Sequence, residues 1–487
     1  MSKEYAETGR LQTLLSQIGA GLDHYLRFEH PDAMHPEANW RASLDIPLPQ
    51  KGVGIDQVTR ELVDQIIPNG SPVPKPGFSG FITTGAASAA TLASTAASIA
   101  SPQRYMITAF NFLEELSLQW LARMFGIEGM QGVYSSGGSV ANLVALGGAR
   151  QRAFEKIGRD PAADGMNRAV SVYASEECHH TIQRSAGVLG FGRRAVKLIA
   201  CDHRGRMRID KLMQAIRDDQ ASGQLPVAIV ANAGTTNTGA IDPLRAIGEI
   251  AAENDIWLHV DGAYGLPGIL DETISHLYQG LEMADSVIVD PHKWLGASVG
   301  VAATFVRDRQ LLYRAFTQEP SDYLEGAVEQ DAASGPAIEH SMDDFGIPYF
   351  DFGVELSSPC RGVVVWALIR EIGVDGIRQR IKRHNQMARR LSEAANAHPK
   401  LEVLSEPTLS ICCFRYVPAS TATDIDTFNQ RLYRRLIREN EYMPSTTRVK
   451  GSLALRPCYI GARAELAQVD ALLDAVLRIG NELEIAA

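Results

Sequence analysis

An α/β fold with a mostly parallel sheet is predicted by the middle of this sequence, where short apolar segments alternate with helical patterns. Continuous apolar runs of this length are typical of strands that are covered on both faces. The expected strands are Ala169–Tyr173, Ala195–Ile199, Val227–Ala231, Ile256–Val260, Ser286–Val289 and Val301–Val306. One intervening helix is indicated by Leu212, Met213 and Ile216, which share a face after Asp210 as a possible N-cap. Such alternation places helices on both sides of a parallel sheet.

The last third of the chain has a mixed pattern that predicts a small α+β domain. Helices are expected at 361–372, 376–397, 424–439 and 464–479, and strands at 401–404, 411–416 and 452–456. Before residue 76, short amphipathic pieces and Pro-rich turns predict an N-terminal helical segment. We therefore expect an N-terminal part (1–75), a large domain (76–365) and a small domain (366–487). The acidic, weakly patterned segment 316–353 has the character of a functional loop.

Composition and charge exclude several classes of protein. The chain has 487 residues and is 45% hydrophobic, which allows a large core and more than one domain. Its net charge is −10 with scattered Lys and Arg, so we expect no nucleic-acid partner. No apolar signal region opens the chain, and 85–100 is too short and too weakly apolar to span a membrane. The six cysteines lack CxxC spacing, and together these features predict a reduced, cytoplasmic protein.

Two charged residues that follow predicted strands indicate a cofactor site. Asp261 directly follows 256–260, and Lys293 lies just beyond 286–289. Ligands of open α/β sheets bind at the carboxyl ends of strands, and an amine held there can act as a nucleophile. Taken singly, such a lysine more often reaches solvent, and such an aspartate is about as often a helix cap or turn former. Together they fit pyridoxal 5′-phosphate (PLP), with Lys293 joined to it as a Schiff base and Asp261 keeping its ring nitrogen protonated.

Two further motifs complete this constellation. The small residues of 135–139 precede a helical run, and the N–H groups at a helix N-terminus suit a phosphate, although a capped helix gives the same pattern. His179 and His180 follow another strand, and one of them could stack on a flat ring. Adjacent side chains on a strand point apart and no third ligand has metal-site spacing, so we expect no metal. The G-x-S-x-G pattern at 296–300 lacks the strand–turn–helix context of hydrolases.

Five segments, read in order, resemble the group II PLP-dependent decarboxylases, which include aromatic-L-amino-acid, tyrosine, histidine and glutamate decarboxylases. The segments are SSGGSVANL, ASEECHHTIQRSAGVLGFG, NAGTTNTGAIDP, WLHVDGAYG and VDPHKWLG. The resemblance covers about 76–372 and extends more weakly to SLALRPCYIGARAE. It implies PLP-dependent transferase fold type I with a seven-stranded central sheet, and a homodimer with shared active sites and an N-terminal segment packed on the partner subunit. The implied reaction converts an L-amino acid, with an aromatic one favoured, to the amine and CO₂.

The resemblance also implies roles for individual residues. Lys293 and Asp261 keep the roles given above, Ala263 packs beneath the ring, and His179 stacks above it. The other implied cofactor contacts are Gly138, Ser139, Thr236 and His292. Asp290 stands where many members carry Asn near the phosphate, and a carboxylate there is repulsive unless it is turned away.

The substrate pocket is assigned in the same way. It would be formed by Phe81, Ile82, Thr83 and Thr84, joined by Gln103 and Tyr105 from the other subunit. The apolar members suit an aromatic side chain, whereas Gln103 and Arg104 could favour a polar or acidic one.

The catalytic loop departs from the family. Its D-Y-[KR] motif, whose tyrosine acts as the acid, is absent from HSMDDFGIPYFDFG, so Tyr349 is the nearest candidate and Phe345 the other. In related plant enzymes a phenylalanine there accompanies oxygen-dependent aldehyde formation. The alternatives are therefore an aldehyde synthase, another PLP chemistry such as carbon–carbon lysis or transamination, a decarboxylase of acidic amino acids, and a PLP-binding protein without turnover.

Overall fold

The computed structural model describes residues 10–28, 40–104, 108–317, 347–420, 424–439 and 442–486. Its strands are β1 Phe78–Ser79, β2 Gln131–Ser135, β3 Val170–Ser175, β4 Val196–Ile199, β5 Leu225–Asn232, β6 Trp257–Asp261, β7 Ser286–Val289, β8 Ala302–Val306, β9 Leu401–Ser405, β10 Cys413–Tyr416, β11 Met443–Val449 and β12 Ser452–Arg456.

A seven-stranded sheet of order β2-β8-β7-β6-β5-β3-β4 forms the centre of the large part of the chain. The four neighbouring pairs from β7 to β4 are parallel, and β8 is antiparallel to both β2 and β7. Strands β3, β6, β7 and β8 are buried along their whole length because helices cover both faces. The predicted α/β fold with a mostly parallel seven-stranded sheet is confirmed. Strand β2 was missed, since its Gln and Gly residues interrupt the apolar run.

The helices are α1 Leu11–Tyr25, α2 Trp40–Leu44, α3 Ile55–Glu61, α4 Ser88–Ala100, α5 Ala109–Met124, α6 Gly138–Glu155, α7 Thr181–Val188, α8 Ile209–Ala221, α9 Leu244–Glu253, α10 Arg309–Phe316, α11 Gly362–Asn396, α12 Ile425–Glu439 and α13 Ala467–Ile485. Within the described ranges, no helix is both long and apolar enough to cross a membrane.

Two predictions about helix α8 were wrong in detail. Asp210 does not cap α8, because the helix already begins at Ile209 and the Asp210 carboxylate pairs with the Arg208 guanidinium at 2.7 Å. Met213 is 40% exposed and therefore does not share the buried face of Leu212. The helices predicted at 361–372 and 376–397 are confirmed, because the element α11 consists of two helices that meet at a kink at Gly373, where φ is 65°.

A second sheet, of order β1-β11-β12-β10-β9, lies in the C-terminal part. Strand β1 joins it in parallel with β11, so residues at the start of the predicted large domain extend the C-terminal sheet. The strand expected at 411–416 begins only at Cys413, since Ile411 makes a single isolated bridge to Cys458. The division into three parts stays a prediction.

The core of the C-terminal part leaves no room for a side chain at Gly480. The buried ring of Tyr416 stacks on Phe428 at 5.3 Å between ring centroids. Helix α13 passes so close to this pair that a Cβ atom at Gly480 would overlap the Tyr416 ring. The glycine is thus a packing requirement of this core.

We expect Gly480→Ala to lower the free energy of unfolding by about 1–3 kcal/mol, because overpacking forces the ring or the helix to move. Thermal unfolding of the purified variant measures the change. The matched control is Gly129→Ala in an exposed turn, where an added Cβ meets nothing within 4 Å. Equal melting temperatures for the two variants would contradict the prediction.

Candidate active site

A cavity of 290 Å³ opens where strands β6 and β7 end. It is lined by all nine residues that were predicted to bind the cofactor: Lys293, Asp261, Ala263, His179, Gly138, Ser139, Thr236, His292 and Asp290. Eight further lining residues were not predicted to bind the cofactor: Ser136, Gly137, Asn142, Thr181, Asn232, Gly234, Tyr264 and Val299. Parallel strands end at the same edge of a sheet, and this brings residues far apart in sequence to one cavity.

Lys293 lies in a turn that follows β7, and backbone hydrogen bonds hold this turn in place. Its backbone N–H donates to the Asp290 carbonyl at 2.9 Å, and the Asp290 N–H donates to the Ala263 carbonyl at 3.1 Å. The turns after β6 and β7 are therefore joined directly. The Lys293 Nζ contacts Asp290 Oδ2 at 2.9 Å. The buried Asp290 carboxylate is thus turned toward the amine, and this pairing offsets its charge.

The residue after Lys293 anchors this turn to the C-terminal part of the chain. The ring of Trp294 stacks on Tyr264 with 5.2 Å between centroids, and its Nε1–H donates to His384 Nδ1 at 2.9 Å. The Tyr264 hydroxyl in turn bonds to Ser410 Oγ at 2.6 Å. Helix α11 and the segment before β10 therefore hold the turn that carries the lysine.

Asp261 is the last residue of β6, and its carboxylate is held by two neutral donors. Oδ1 accepts the backbone N–H of Ala263 at 3.1 Å, and Oδ2 accepts the side-chain amide of Asn142, also at 3.1 Å. A carboxylate has about four lone-pair sites, so it can still accept a proton donor from a ligand. Its side chain is buried at the cavity wall.

The N-terminus of α6 forms the third side of the cavity. The cap residue Gly137 has φ of 157°, a conformation that favours glycine, and α6 begins at Gly138. A Cβ on Gly138 would lie 2.7 Å from Asp290 Oδ2, so no side chain fits there. The free N–H groups of this turn suit a phosphate. Amine, carboxylate and N–H groups match the aldehyde, ring nitrogen and phosphate of PLP, so the residues present fit this cofactor.

His179 and His180 lie at the start of α7 and not on a strand, which corrects the geometric argument made from the sequence. Their ring centroids are only 4.2 Å apart. His179 Nδ1 bonds to Thr181 Oγ1 at 2.8 Å, which fixes the ring at the cavity. Burial lowers the pKa of His179, so it presents an uncharged ring at neutral pH. Within the described ranges, no three His, Cys, Asp or Glu side chains form a group that could hold a metal ion.

The predicted substrate residues do not line this cavity. Phe81 is 67% exposed, Thr84 is buried with its hydroxyl on the Gly85 carbonyl, and Ile82 and Gln103 also lie outside the lining. Thr83 is likewise outside it, and Tyr105 falls outside the described residues. Because the assignment takes Gln103 and Tyr105 from a partner subunit, it stays a prediction.

Tyr349 does not belong to this cavity either. Its buried hydroxyl donates to Glu115 Oε2 at 2.6 Å, and its ring packs against Arg309 and Phe352. Burial and the neighbouring carboxylate of Glu115 raise the pKa of Tyr349. These contacts make it part of the core, and we withdraw it as the catalytic acid. Phe345 lies outside the described residues.

Comparisons with known proteins agree with this geometry. The sequence model of the "Pyridoxal-dependent decarboxylase conserved domain" matches residues 36–417. The chain belongs to this family. Aromatic-L-amino-acid decarboxylase from Bacillus atrophaeus is 33% identical over 377 residues, which cover 77% of this chain and 74% of the relative. Human cysteine sulfinic acid decarboxylase is 29% identical over 389 residues, covering 77% and 75%.

The solved structure of Oryza sativa TDC with PLP and tryptamine has the same fold. It superposes with a TM-score of 0.86 and 23% identity, over 99% of this chain and 100% of the other. The chain is therefore a PLP-dependent amino-acid decarboxylase of fold type I, as the resemblance implied. When bound, PLP supplies an electron sink for the pair released as the Cα–carboxylate bond breaks.

Two fully buried histidines beside the site predict a loss of stability in acid. Burial lowers the pKa of His259 to about 4 and that of His384 to about 3. The unfolded chain binds these protons near pH 6.5, so their stabilising contribution is full above that pH and falls as the pH drops toward 4. At pH 5 each histidine costs about 2 kcal/mol of unfolding free energy relative to pH 7.

Urea unfolding at pH 7 and pH 5 measures this effect. His384→Gln, which keeps an acceptor for Trp294, should reduce the difference, whereas His203→Gln at an exposed position should leave it as in the wild type. A His384→Gln variant with the wild-type pH dependence would refute the assignment.

Proposed function

We propose that this enzyme decarboxylates an aromatic L-amino acid to the amine and CO₂. The proposal rests on the charges of the side chains that line the cavity. Among the described residues, no arginine lines the cavity, and Lys293 is the only lysine there. An acidic side chain would need a cation of its own, since an unpaired charge is costly to bury. An aromatic side chain needs none.

Arg104, which could favour an acidic substrate, already has hydrogen-bond partners within the protein. Arg104 is 2% exposed, and its guanidinium donates to the carbonyls of Tyr134, Tyr349 and Glu355 at 2.9, 3.1 and 3.0 Å. Moving it toward a ligand would leave these buried carbonyls without donors.

Arg456 at the end of β12 is occupied in the same way. It is 4% exposed and donates to the carbonyls of Phe81 and Asn237 at 2.9 and 3.0 Å, and to the carbonyl of Thr236. Its role in these contacts is to join the C-terminal sheet to the loop that carries Thr236.

One apolar side chain of the cavity lining and one outside it support the same substrate class. Val299 lines the cavity and is 76% exposed, and Phe81 on the segment held by Arg456 is 67% exposed. The identity to an aromatic-L-amino-acid decarboxylase is 33%, against 29% for the cysteine sulfinic acid enzyme. The aromatic-L-amino-acid enzyme is thus the more similar of these two relatives.

In this proposal, each residue of the site has a separate role in binding the cofactor. Lys293 holds the cofactor and is the amine that a substrate displaces, while Asp261 keeps the ring nitrogen protonated. His179 and Ala263 form the walls on either side of the ring, and the N-terminus of α6 holds the phosphate. We further propose a cytoplasmic homodimer in which a partner subunit completes the substrate pocket.

A second candidate is an oxygen-consuming aldehyde synthase. It is favoured by the burial of Tyr349 against Glu115, which removes the nearest tyrosine that could protonate the product carbon. Without such an acid, the carbanion-like state remains open to other reactions.

The test is a screen of L-amino acids with the PLP-loaded enzyme, measuring CO₂, amine, aldehyde and hydrogen peroxide. We expect Trp, Tyr, Phe or 3,4-dihydroxyphenylalanine to give the highest kcat/KM and the amine as product. Lys293→Ala is the control and should abolish turnover. Preference for Glu, Asp or cysteine sulfinate would contradict the substrate class, and aldehyde with peroxide would establish the second candidate.

A further inference from the structure

We propose that Asn142 and His259 are positioning residues, which hold the Asp261 carboxylate in the direction and charge state that keep a proton on the ring nitrogen of bound PLP. The proposal rests on the cofactor and not on the substrate proposed above. Neither residue was singled out by the sequence motifs. Both are fully enclosed, at 1% and 0% exposure, directly behind the carboxylate.

The side chain of Asn142 has only one orientation that satisfies its neighbours. A carboxylate accepts hydrogen bonds and cannot donate them, so the amide nitrogen must face Asp261 Oδ2, at 3.1 Å. The amide oxygen then faces His259 Nε2 at 2.8 Å and requires a proton on that nitrogen. Asn142 thus transmits the tautomer of His259 to the orientation of Asp261.

The hydrogen bond at the other ring nitrogen of His259, Nδ1, fixes that tautomer. The indole N–H of Trp257 donates to Ser286 Oγ at 2.8 Å, which leaves the hydroxyl proton of Ser286 for His259 Nδ1 at 2.9 Å. With Nδ1 accepting and Nε2 donating, the imidazole is neutral. Burial lowers its pKa to about 4, so it stays neutral over the working pH range. Every polar side-chain atom of this hydrogen-bonded network has a partner, as a buried network requires.

The fold explains why these residues meet. His259 and Asp261 are two apart on β6 and therefore point to the same face of the sheet. Asn142 lies on α6, one turn after Gly138, and α6 packs across that face. The helix whose N-terminus lines the phosphate side of the cavity therefore also holds the carboxylate.

Because the network is uncharged, it orients the Asp261 carboxylate without offsetting its negative charge. An arginine or lysine in place of Asn142 would orient Asp261 but would also offset its negative charge. Lys293 lines the same cavity and is paired with Asp290, and two other titratable groups, His179 and Cys178, interact electrostatically with Asp261. Burial lowers the pKa of His179 and raises that of Cys178 to about 12, so both are uncharged at neutral pH. The carboxylate keeps its charge for the proton on the ring nitrogen.

The experiment compares PLP with its 1-deaza analogue, in which a carbon replaces the ring nitrogen. The dissociation constants of both are measured for the wild type, Asn142→Leu, His259→Leu and the conservative His259→Gln. We expect the wild type to prefer PLP by about tenfold or more, as for a charge-assisted hydrogen bond. Asn142→Leu and His259→Leu should lose most of this preference, and His259→Gln, which keeps a donor, should recover part of it.

Asn385→Leu is the matched control, since Asn385 is equally buried and donates to Asp271 Oδ2 at 2.9 Å, outside the cavity lining. It should lower stability and leave the PLP preference unchanged. The visible absorbance of the Lys293-bound cofactor gives a second readout, and its pH dependence should change in Asn142→Leu but not in Asn385→Leu.

Equal weakening of both cofactors by Asn142→Leu would show a packing role only and would overturn the proposal. An unchanged preference would overturn it as well. Should Asn142→Leu fail to fold, the two His259 variants make the same comparison from the far side of the network. Neither result depends on which amino acid the enzyme accepts, so this test and the substrate screen fail separately.

Discussion

The parallel pairing of β6 with β7 is the constraint on which the site depends. It sets Asp261 opposite Ile288, so the aspartate ends its strand one residue before β7 reaches its own end. The turn that follows β7 then returns Lys293 to the same cavity, and the hydrogen bond from Asp290 N to the Ala263 carbonyl joins the two turns. A shift of this register by one residue would turn the Asp261 side chain to the other face of the sheet.

Charge near this sheet edge is balanced locally. Asp290 and Lys293 are paired, and Asp261 is held by neutral donors that leave its charge available. This division is chemically useful because the two carboxylates lie at one cavity and have different tasks. Asp290 neutralises the Lys293 amine, and in the proposed function Asp261 attracts the proton on the ring nitrogen of the cofactor. Burial makes both arrangements stronger than they would be in water.

The C-terminal part contributes rigidity to a site built mainly by the large sheet. His384 holds Trp294, Ser410 holds Tyr264, and Arg456 holds the carbonyls around Thr236. Tyr264 and Thr236 line the cavity themselves, and Trp294 directly follows Lys293 of the lining. The C-terminal part therefore acts on the site through hydrogen bonds to aromatic side chains and to backbone carbonyls.

The sequence by itself determined the fold class, the cofactor and nine of the residues that line the cavity. These features depend on local patterns, such as apolar runs with a charged residue at the end, and on motifs that stay intact when read in order. It did not reveal Asn142 or His259, although the spacing of His259 from Asp261 and of Asn142 from Gly138 carried a signal. It named Tyr349 as the nearest candidate for the acid, but a position in the loop sequence says nothing about the burial of its hydroxyl against Glu115. Only the tertiary structure decided these points, since hydrogen-bond partners in a core are set by how distant strands and helices pack and not by neighbours along the chain.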